Sequence, residues 1–266
     1  IIVMNSYLDK IIDQTILTVE ADKKKISLGE VKSYISDLNN TKGFFESIKD
    51  RYDQGLVSVI AEIKRASPSQ GLIRENFNPR DIAISYQEHH ATCLSVLTDT
   101  TFFKGSLEDL SSVREVVDLP LLRKDFIVDE YQIYQSRFYG ADCILLIASV
   151  LPDNQLIEFK EIAEELNLDT LVEVHDKSEM DRVRKLDFKL IGINNRDLKT
   201  FKVNLDTTIN LSHNLTDRII ISESGIQSRE DIEKILISGT KTFLVGESFM
   251  RASDPGQALE QLFYSS

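Results

Sequence analysis

The 266-residue sequence is poor in the side chains from which metal centres and disulfide frameworks are built. It has two cysteines, Cys93 and Cys143, and both lie in apolar, strand-like runs, ATCLSVL and ADCILLI. Such positions indicate buried free thiols, as in a protein of the reducing cytoplasm. The four histidines show no spacing typical of metal ligands. We therefore expect a cytoplasmic protein that has no metal site.

Long hydrophobic runs and an excess of basic charge are also missing. No apolar run approaches the roughly 20 residues of a membrane span, and the start, IIVMNSYLDKIIDQ, turns polar too early for a secretory signal. The chain has 31 basic and 43 acidic residues, a net charge of −12, which disfavours nucleic acid as a partner. We therefore expect neither membrane nor nucleic-acid binding. Met4 is interpreted as the natural start, with residues 1–3 left from cloning.

About fifty residues of helical pattern precede the first strand-like run. Residues 5–25 carry apolar side chains at a 3.6-residue period, and Ser27 has capping-box spacing to Glu30 at the start of a second helix. A third helical segment covers about 44–52. We predict that residues 1–55 form a helical extension packed on the rest of the chain. The core-facing positions predicted in the first two helices are Leu8, Ile11, Ile12, Thr15, Ile16, Val19, Leu28, Val31, Ile35 and Leu38.

From residue 57 onward, strand-like runs alternate with capped helices. The predicted strands are 56–64, 93–99, 120–126, 142–149, 169–175, 190–197, 218–224 and 242–248. The helix starts predicted between them are Asn78-Pro79, Ser106, Asp129, Asp176, Ser228 and Asp254-Pro255. Eight βα units favour an α/β fold, a (β/α)8 TIM barrel over residues 56–266, within a single domain. An open doubly wound sheet would usually carry a glycine-rich first turn, which KRASPSQG is not.

Charged residues gather at the carboxyl ends of the predicted strands, where TIM barrels place their active sites. In the first strand Glu62 and Lys64 share one face, because side chains alternate, and the opposite face is apolar. Opposite charges confined in one site shift pKa values, which makes a lysine usable as an acid and a glutamate as a base. The alternative is a set of solvated strand ends, with Glu62 and Lys64 as an ion pair on an edge strand. The other strand ends supply Lys124, Glu173, Asn194, Arg196, Glu223, Ser224 and Glu247.

Two glycines follow the seventh and eighth predicted strands, Gly225 in ESGI and Gly246 in VGES. Loops at these places in TIM barrels often bind phosphate through backbone N–H groups, and glycine lets the backbone approach an anion closely. The alternative is a pair of tight turns. The pattern predicts a phosphate-bearing substrate.

These segments together resemble one enzyme family. VIAEIKRASPSQGLI resembles the signature of the indole-3-glycerol phosphate synthases, and the helical extension is also similar to theirs. The resemblance implies a lyase of tryptophan biosynthesis that needs no cofactor. It would convert 1-(2-carboxyphenylamino)-1-deoxy-D-ribulose 5-phosphate into indole-3-glycerol phosphate by ring closure, loss of CO₂ and loss of water. The other matching segments, in register from about residue 56 to 251, are LSVLTD, LLRKDFIVDEYQI, ADCILLIA, LVEVH, IGINNRDLKTF, ISESGI and FLVGESFM.

The resemblance also implies roles for individual residues. Lys124 would be the general acid at the ribulose carbonyl, and Glu173 the acid/base partner for dehydration. Lys64 would hold anionic groups and assist proton transfer, and Glu62 would position Lys64 and bind hydroxyls. The assignment of the two lysines to individual steps stays open. The remaining expected members are Asn194 and Glu223 for the polar network, Ser67, Ser224, Gly225 and Gly246 for the phosphate, Phe126 and Leu145 for the ring, Arg196 for the carboxylate, and Glu247 for the substrate.

Two rivals remain open besides this resemblance. Another phosphate-binding barrel, such as phosphoribosylanthranilate isomerase or the tryptophan synthase α chain, would lack the EIKRASPS strand. A barrel that serves only as a scaffold should have lost Lys64, Lys124 or Glu173. We expect a monomer that contacts a small sugar phosphate and, weakly, other enzymes of the tryptophan pathway. His90 stands where the family usually has a glycine, so we expect a rearranged cap after the first barrel helix.

Overall fold

The computed structural model describes residues 6–213, 215 and 217–265, so the interpretation of Met4 and residues 1–3 lies outside the described residues. The strands are β1 (Ser58–Ile63), β2 (Ala66–Ser67), β3 (Gly71–Leu72), β4 (Cys93–Leu97), β5 (Leu121–Lys124), β6 (Cys143–Ile147), β7 (Asp169–Val174), β8 (Leu190–Asn194), β9 (Ile219–Glu223) and β10 (Thr242–Val245). The helices are α1 (Tyr7–Lys25), α2 (Leu28–Ile35), α3 (Phe44–Asp53), α4 (Pro79–Glu88), α5 (Leu107–Arg114), α6 (Glu130–Phe138), α7 (Asp153–Glu165), α8 (Lys177–Val183), α9 (Asp206–Leu211), α10 (Arg229–Leu236), α11 (Glu247–Arg251) and α12 (Pro255–Phe263).

Eight parallel strands close into a barrel in the order β1-β10-β9-β8-β7-β6-β5-β4. The chain's first barrel strand therefore pairs with its last, with Ala61 opposite Val245. The predicted (β/α)8 fold and all eight predicted strands are confirmed. The predicted strands extend past the observed ends because the polar residues that follow them lie in the loops of the barrel mouth. No helix in the described part of the chain is long and apolar enough to span a membrane.

Side-chain alternation divides the core into two layers. On β1, Val59 and Ala61 pack outward between the strands and the helices, while Ile60 faces the barrel interior. The bottom of that interior is closed by Phe44 and Ile48 of α3, both fully buried. The two free thiols, predicted to be buried, are confirmed as buried in this inner layer.

The extension lies along the outside of the barrel, against α6. Val19 of α1 and Val31 of α2 share a buried cluster with Tyr131 of α6, and Lys23 Nζ lies 2.7 Å from Asp129 Oδ2. Two of the apolar positions predicted to face the core, Ile16 and Leu38, are exposed instead, because only a narrow stripe of each helix meets α6. Ile16, for example, is 47% exposed. The division of the chain at residues 55 and 56 stays a prediction.

The cap after α4 is not rearranged, contrary to our expectation. His90 adopts the left-handed conformation with φ +68° that the missing glycine would supply. The two Schellman hydrogen bonds are present, from the His90 amide to the Gln87 carbonyl and from the Ala91 amide to the Tyr86 carbonyl. The left-handed conformation costs a non-glycine residue about 1 kcal/mol. Tyr264 helps to offset this cost, since its hydroxyl donates to the His90 carbonyl at 3.3 Å.

Candidate active site

A cavity of about 490 Å³ opens at the carboxyl ends of the barrel strands. Every residue that the sequence predicted for the site lines it. The cavity also takes Tyr7, Leu8 and Ile11 from the first turns of α1, which sequence reasoning did not place there. The amphipathic pattern of α1 revealed that one face is covered, but not that part of this face covers the barrel mouth.

Glu62 and Lys64 enter this cavity from β1 and the residue after it. Because they continue the inward face, Glu62 is only 4% exposed, and Lys64 Nζ lies 2.5 Å from Glu62 Oε1. The alternative of a solvated edge-strand ion pair is therefore wrong. Gly246 passes close behind Glu62, and a Cβ there would lie 2.6 Å from Glu62 Oε1. One reason for glycine at this position is thus the close packing of β10 on the β1 carboxylate.

The ends of β5, β7, β8 and β9 bring a lysine, two glutamates and an asparagine together at the centre of the mouth. Lys124 Nζ lies 3.0 Å from Glu173 Oε2 and 3.6 Å from Glu223 Oε2. Asn194 Nδ2 donates to Glu173 Oε1 at 3.3 Å. Both glutamates are nearly inaccessible to solvent. The solvated strand ends considered as an alternative are therefore excluded for these residues.

The surroundings lower the pKa of the Glu173 carboxyl group and raise that of Glu223. Burial alone would raise the pKa of Glu173, but Lys124 and the adjacent His175 ring hold it well below its usual value. Burial and the charge of Glu173 raise the pKa of Glu223 well above its usual value. Burial would lower the pKa of Lys124, but Glu173, Glu223 and Glu62 raise it instead. The surroundings thus favour an ionised Glu173 and a charged Lys124, and they make Glu223 the carboxyl group that takes up a proton more readily.

His175 is a member of this cluster that the sequence analysis missed, because histidines were considered only as metal ligands. It follows Glu173 by two residues, and because side chains alternate along an extended chain, both side chains point to the same side. Its Nε2 lies 3.0 Å from Glu173 Oε1, and its Nδ1 lies 3.1 Å from Glu179 Oε2. The segment EVH, with an acidic residue four positions further on, was the available signal.

The rim of the cavity combines an apolar wall with polar loops. Phe126 packs against Phe103 with ring centroids 6.3 Å apart, and Leu145 lies in the same cavity wall. The loop after β9 has positive φ at Ser224 and Gly225, at +67° and +82°. This loop shape turns the chain sharply from β9 into the segment that precedes α10.

A second polar pair crosses the rim between the loop after β8 and α11. Arg196 donates to the Phe201 carbonyl at 3.2 Å, and its Nη2 lies 3.3 Å from Glu247 Oε2. Ser67 of β2 lies on the same rim. Among the described residues, no group of three or more His, Cys, Asp or Glu side chains could hold a metal ion.

Comparison with known proteins identifies the family. The sequence model described as indole-3-glycerol phosphate synthase matches residues 8–262. The chain belongs to this family. An indole-3-glycerol phosphate synthase of Acidovorax sp. (strain JS42) is 47% identical over 265 residues, which cover 98% of this chain and 100% of that protein. One from Delftia acidovorans (strain DSM 14801 / SPH-1) is 47% identical over 266 residues, with the same coverage.

The family assignment confirms the activity that the sequence resemblance implied. Indole-3-glycerol phosphate synthases are carboxy-lyases of tryptophan biosynthesis, and both the reaction and the enzyme class were predicted. Among solved structures, a 3-hexulose-6-phosphate synthase superposes with a TM-score of 0.62 at 16% identity, covering 77% of this chain and 97% of that one. A thiamine phosphate pyrophosphorylase from Pyrococcus furiosus gives 0.58 at 16% identity, covering 77% and 93%. Identities this low show the barrel fold alone.

In the indole-3-glycerol phosphate synthase cluster, Gly192 of β8 is a position where a side chain would collide with the Glu223 carboxyl group. A Cβ at Gly192 would lie 2.0 Å from Glu223 Oε1. We expect Gly192→Ala to displace this carboxyl group and lower kcat by about 10²-fold, the typical cost of a misplacement of about 1 Å. Steady-state kinetics of the variant and the wild type measures this loss of kcat. Gly29→Ala on α2 is the control, because nothing lies within 4 Å of a Cβ there. A folded Gly192→Ala enzyme with unchanged kcat would contradict a role of Glu223 in the reaction.

Proposed function

We propose that this cavity carries out the indole-3-glycerol phosphate synthase reaction with the residues assembled at the strand ends. The observation that carries the proposal is the buried cluster of Lys124, Glu173 and Glu223, in which a lysine lies beside one carboxyl group whose pKa is lowered and one whose pKa is raised. A cluster of this kind offers a proton donor and a proton acceptor within 4 Å of each other.

Ring closure needs a proton at the oxygen of the ribulose carbonyl while the aromatic carbon attacks. Lys124 supplies this proton, since its ammonium group lies at the centre of the mouth and faces the cavity. The substrate ring lies against Phe126 and Leu145, which holds the attacking carbon near the carbonyl. The new bond removes aromaticity from the ring, and loss of CO₂ restores it.

Decarboxylation and anion binding use the basic side chains nearer the rim. Arg196 contacts the carboxylate of the substrate after exchanging its contact with Glu247, which is 3.3 Å away. Lys64, held by Glu62, binds a second anionic part of the substrate. The phosphate lies beside Ser67 and the loops after β9 and β10, whose contributions are Ser224, Gly225 and Gly246.

Dehydration removes the hydroxyl group as water and a proton from the neighbouring CH₂ group. Glu173 is the acceptor of that proton because it is ionised and central in the site. Lys64 supplies the proton that leaves with the hydroxyl. Asn194 fixes the Glu173 carboxylate by its hydrogen bond, and Glu223, whose pKa is raised, is the carboxyl group that takes up a proton more readily.

The purified chain mixed with the carboxyphenylamino-deoxyribulose phosphate tests this function directly. In the presence of EDTA, we expect indole fluorescence to rise at catalytic enzyme concentrations. A folded protein that gives no rise would contradict the proposal. We also propose that the enzyme is a cytoplasmic monomer with at most weak contacts to other pathway enzymes. Light scattering of the purified protein tests the monomeric state, and light scattering of its mixtures with those enzymes tests the contacts.

A further inference from the structure

The contacts of His175 are not explained by the roles given above. The ring lies between two carboxylates, with Nε2 3.0 Å from Glu173 Oε1 and Nδ1 3.1 Å from Glu179 Oε2. Its side chain is 11% exposed. It does not line the cavity, so it acts on the reaction only through Glu173.

Both ring nitrogens lie beside carboxylate oxygens, which favours the charged form of the ring. Nδ1 is within hydrogen-bond distance of Glu179 Oε2, at 3.1 Å, whereas Nε2 meets Glu173 Oε1 at 3.0 Å in an ionic contact without hydrogen-bond geometry. An imidazolium is attracted by both carboxylates, and a neutral ring is not. Glu179 Oε2 also accepts the His175 backbone amide at 2.7 Å, which fixes the carboxylate in place beside the ring.

The charges around the ring lead to the same result. Within the described part of the chain, four buried carboxyl groups belong to this cluster, and they are Glu62, Glu173, Glu179 and Glu223. The basic groups that face them are Lys64, Lys124 and His175. A charged His175 gives three cations for these four carboxyl groups. A neutral His175 would leave only two cations for the same four groups, and buried negative charge without a partner is costly.

We propose that His175 is a positioning residue whose positive charge, 3.0 Å from Glu173 Oε1, stabilises the ionised form of Glu173. This inference rests on the proposed function of Glu173. When Lys124 gives its proton to the substrate, Glu173 loses the charge of one of the two cations that lie 3.0 Å from it. The imidazolium on the other side of Glu173 stays protonated, so Glu173 remains available as a base for the later dehydration step.

The groups that face His175 support a charged ring across the working pH range. They are Glu173 on β7, Glu179 on α8 and, more exposed, Asp176 before α8, with Lys124 and Glu223 beyond Glu173. Burial lowers the pKa of His175, but the contacts with Glu173 and Glu179 outweigh this effect and raise the pKa to about 10. The ring therefore stays charged near neutral pH.

The test uses His175→Gln, whose amide can still donate to Glu173 but carries no charge. Without the imidazolium the pKa of Glu173 rises, so the acid limb of the kcat/KM profile moves to higher pH. We expect a shift of about one pH unit, which is a tenfold loss of kcat/KM on the acid side, and near recovery at high pH. His213→Gln, at an exposed histidine, should leave the profile unchanged. A uniform loss at all pH values, or no shift, would overturn the proposal.

A second variant and a second measurement protect the test against a folding defect or a wrong reaction. Glu179→Gln keeps the ring and should lower the pKa of His175, which moves the acid limb in the same direction by less. By NMR, the His175 ring of the wild-type protein should stay protonated between about pH 6 and 8, and the Glu173 carboxyl carbon should titrate at higher pH in His175→Gln. A wild-type ring that titrates near its ordinary pKa of about 6.5 would refute the inference. A wild-type protein without turnover would refute the proposed function instead, and the NMR titrations would still decide the charge of His175.

Discussion

Lys124→Ala is expected to reduce kcat by about 10³-fold or more, the upper part of the range for loss of a general acid. The reason is twofold, because the substitution removes the proton donor and also the cation between two buried carboxyl groups. Lys124 Nζ lies 3.0 Å from a Glu173 oxygen and 3.6 Å from a Glu223 oxygen. Without this cation, the ionised form of Glu173 loses a stabilising contact. The Glu173 pKa should rise as a result, which weakens the base as well as the acid.

The measurement is steady-state turnover by indole fluorescence together with equilibrium binding of the product to the variant. Product affinity should change far less than kcat, since the phosphate loops and the apolar wall are untouched. Lys177→Ala is the matched control, because that lysine is 80% exposed and pairs only with Asp181 at the surface. If a folded Lys124→Ala enzyme turned over like the wild type, Lys124 would not be the acid.

Glu173→Gln is expected to lower kcat by about 10²-fold to 10⁴-fold with a small change in KM, since it removes the general base and keeps the shape of the side chain. The matched comparison is Glu223→Gln at the neighbouring strand end. The pKa of Glu223 is raised, so a neutral amide of the same size imitates the protonated form that its surroundings favour. We therefore expect a clearly smaller loss of kcat for Glu223→Gln than for Glu173→Gln.

Steady-state kinetics of the two variants at one pH distinguishes the assignments. A Glu173→Gln enzyme whose KM rises while kcat is preserved would show that Glu173 binds substrate and does not transfer protons. A larger loss in Glu223→Gln than in Glu173→Gln would show that the proton lies on Glu173 in the resting enzyme. Circular dichroism before each assay excludes unfolding as the cause of a loss.

The barrel and most of its mouth could be predicted because local patterns determine them. Period-two alternation on β1 was enough to place Glu62 and Lys64 on one face, and the helix caps, such as Asn78 before Pro79, marked where the helices begin. Once the strands were known to be parallel, the residues at their carboxyl ends had to meet. The charged members of the predicted site therefore followed from strand direction and strand ends, whereas Ser67, Phe126 and Leu145 came from the family resemblance.

The features that the sequence did not reveal depend on long-range packing. The helical period of α1 could not distinguish Ile11, which lines the cavity, from Ile16, which faces solvent. His175 was missed because its importance arises from two neighbours on opposite sides, one on the same strand and one on the next helix. Likewise, the conformation of His90 depends on contacts with Tyr264, at the other end of the chain.

The pairing of β1 with β10 has a consequence for synthesis on the ribosome. A nascent chain that ends before residue 242 has seven of the eight barrel strands and lacks β10. The gap between β1 and β9, here called the seam, then stays open beside Glu62. Gly246, which packs against the Glu62 carboxylate, emerges later still. A truncated translation product can therefore contain Lys64, Lys124 and Glu173 and still lack the closed mouth that holds them together. In a translation reaction, enzymatic activity should accordingly appear only with chains that extend past β10. Activity therefore reports that the closing strand has been synthesised.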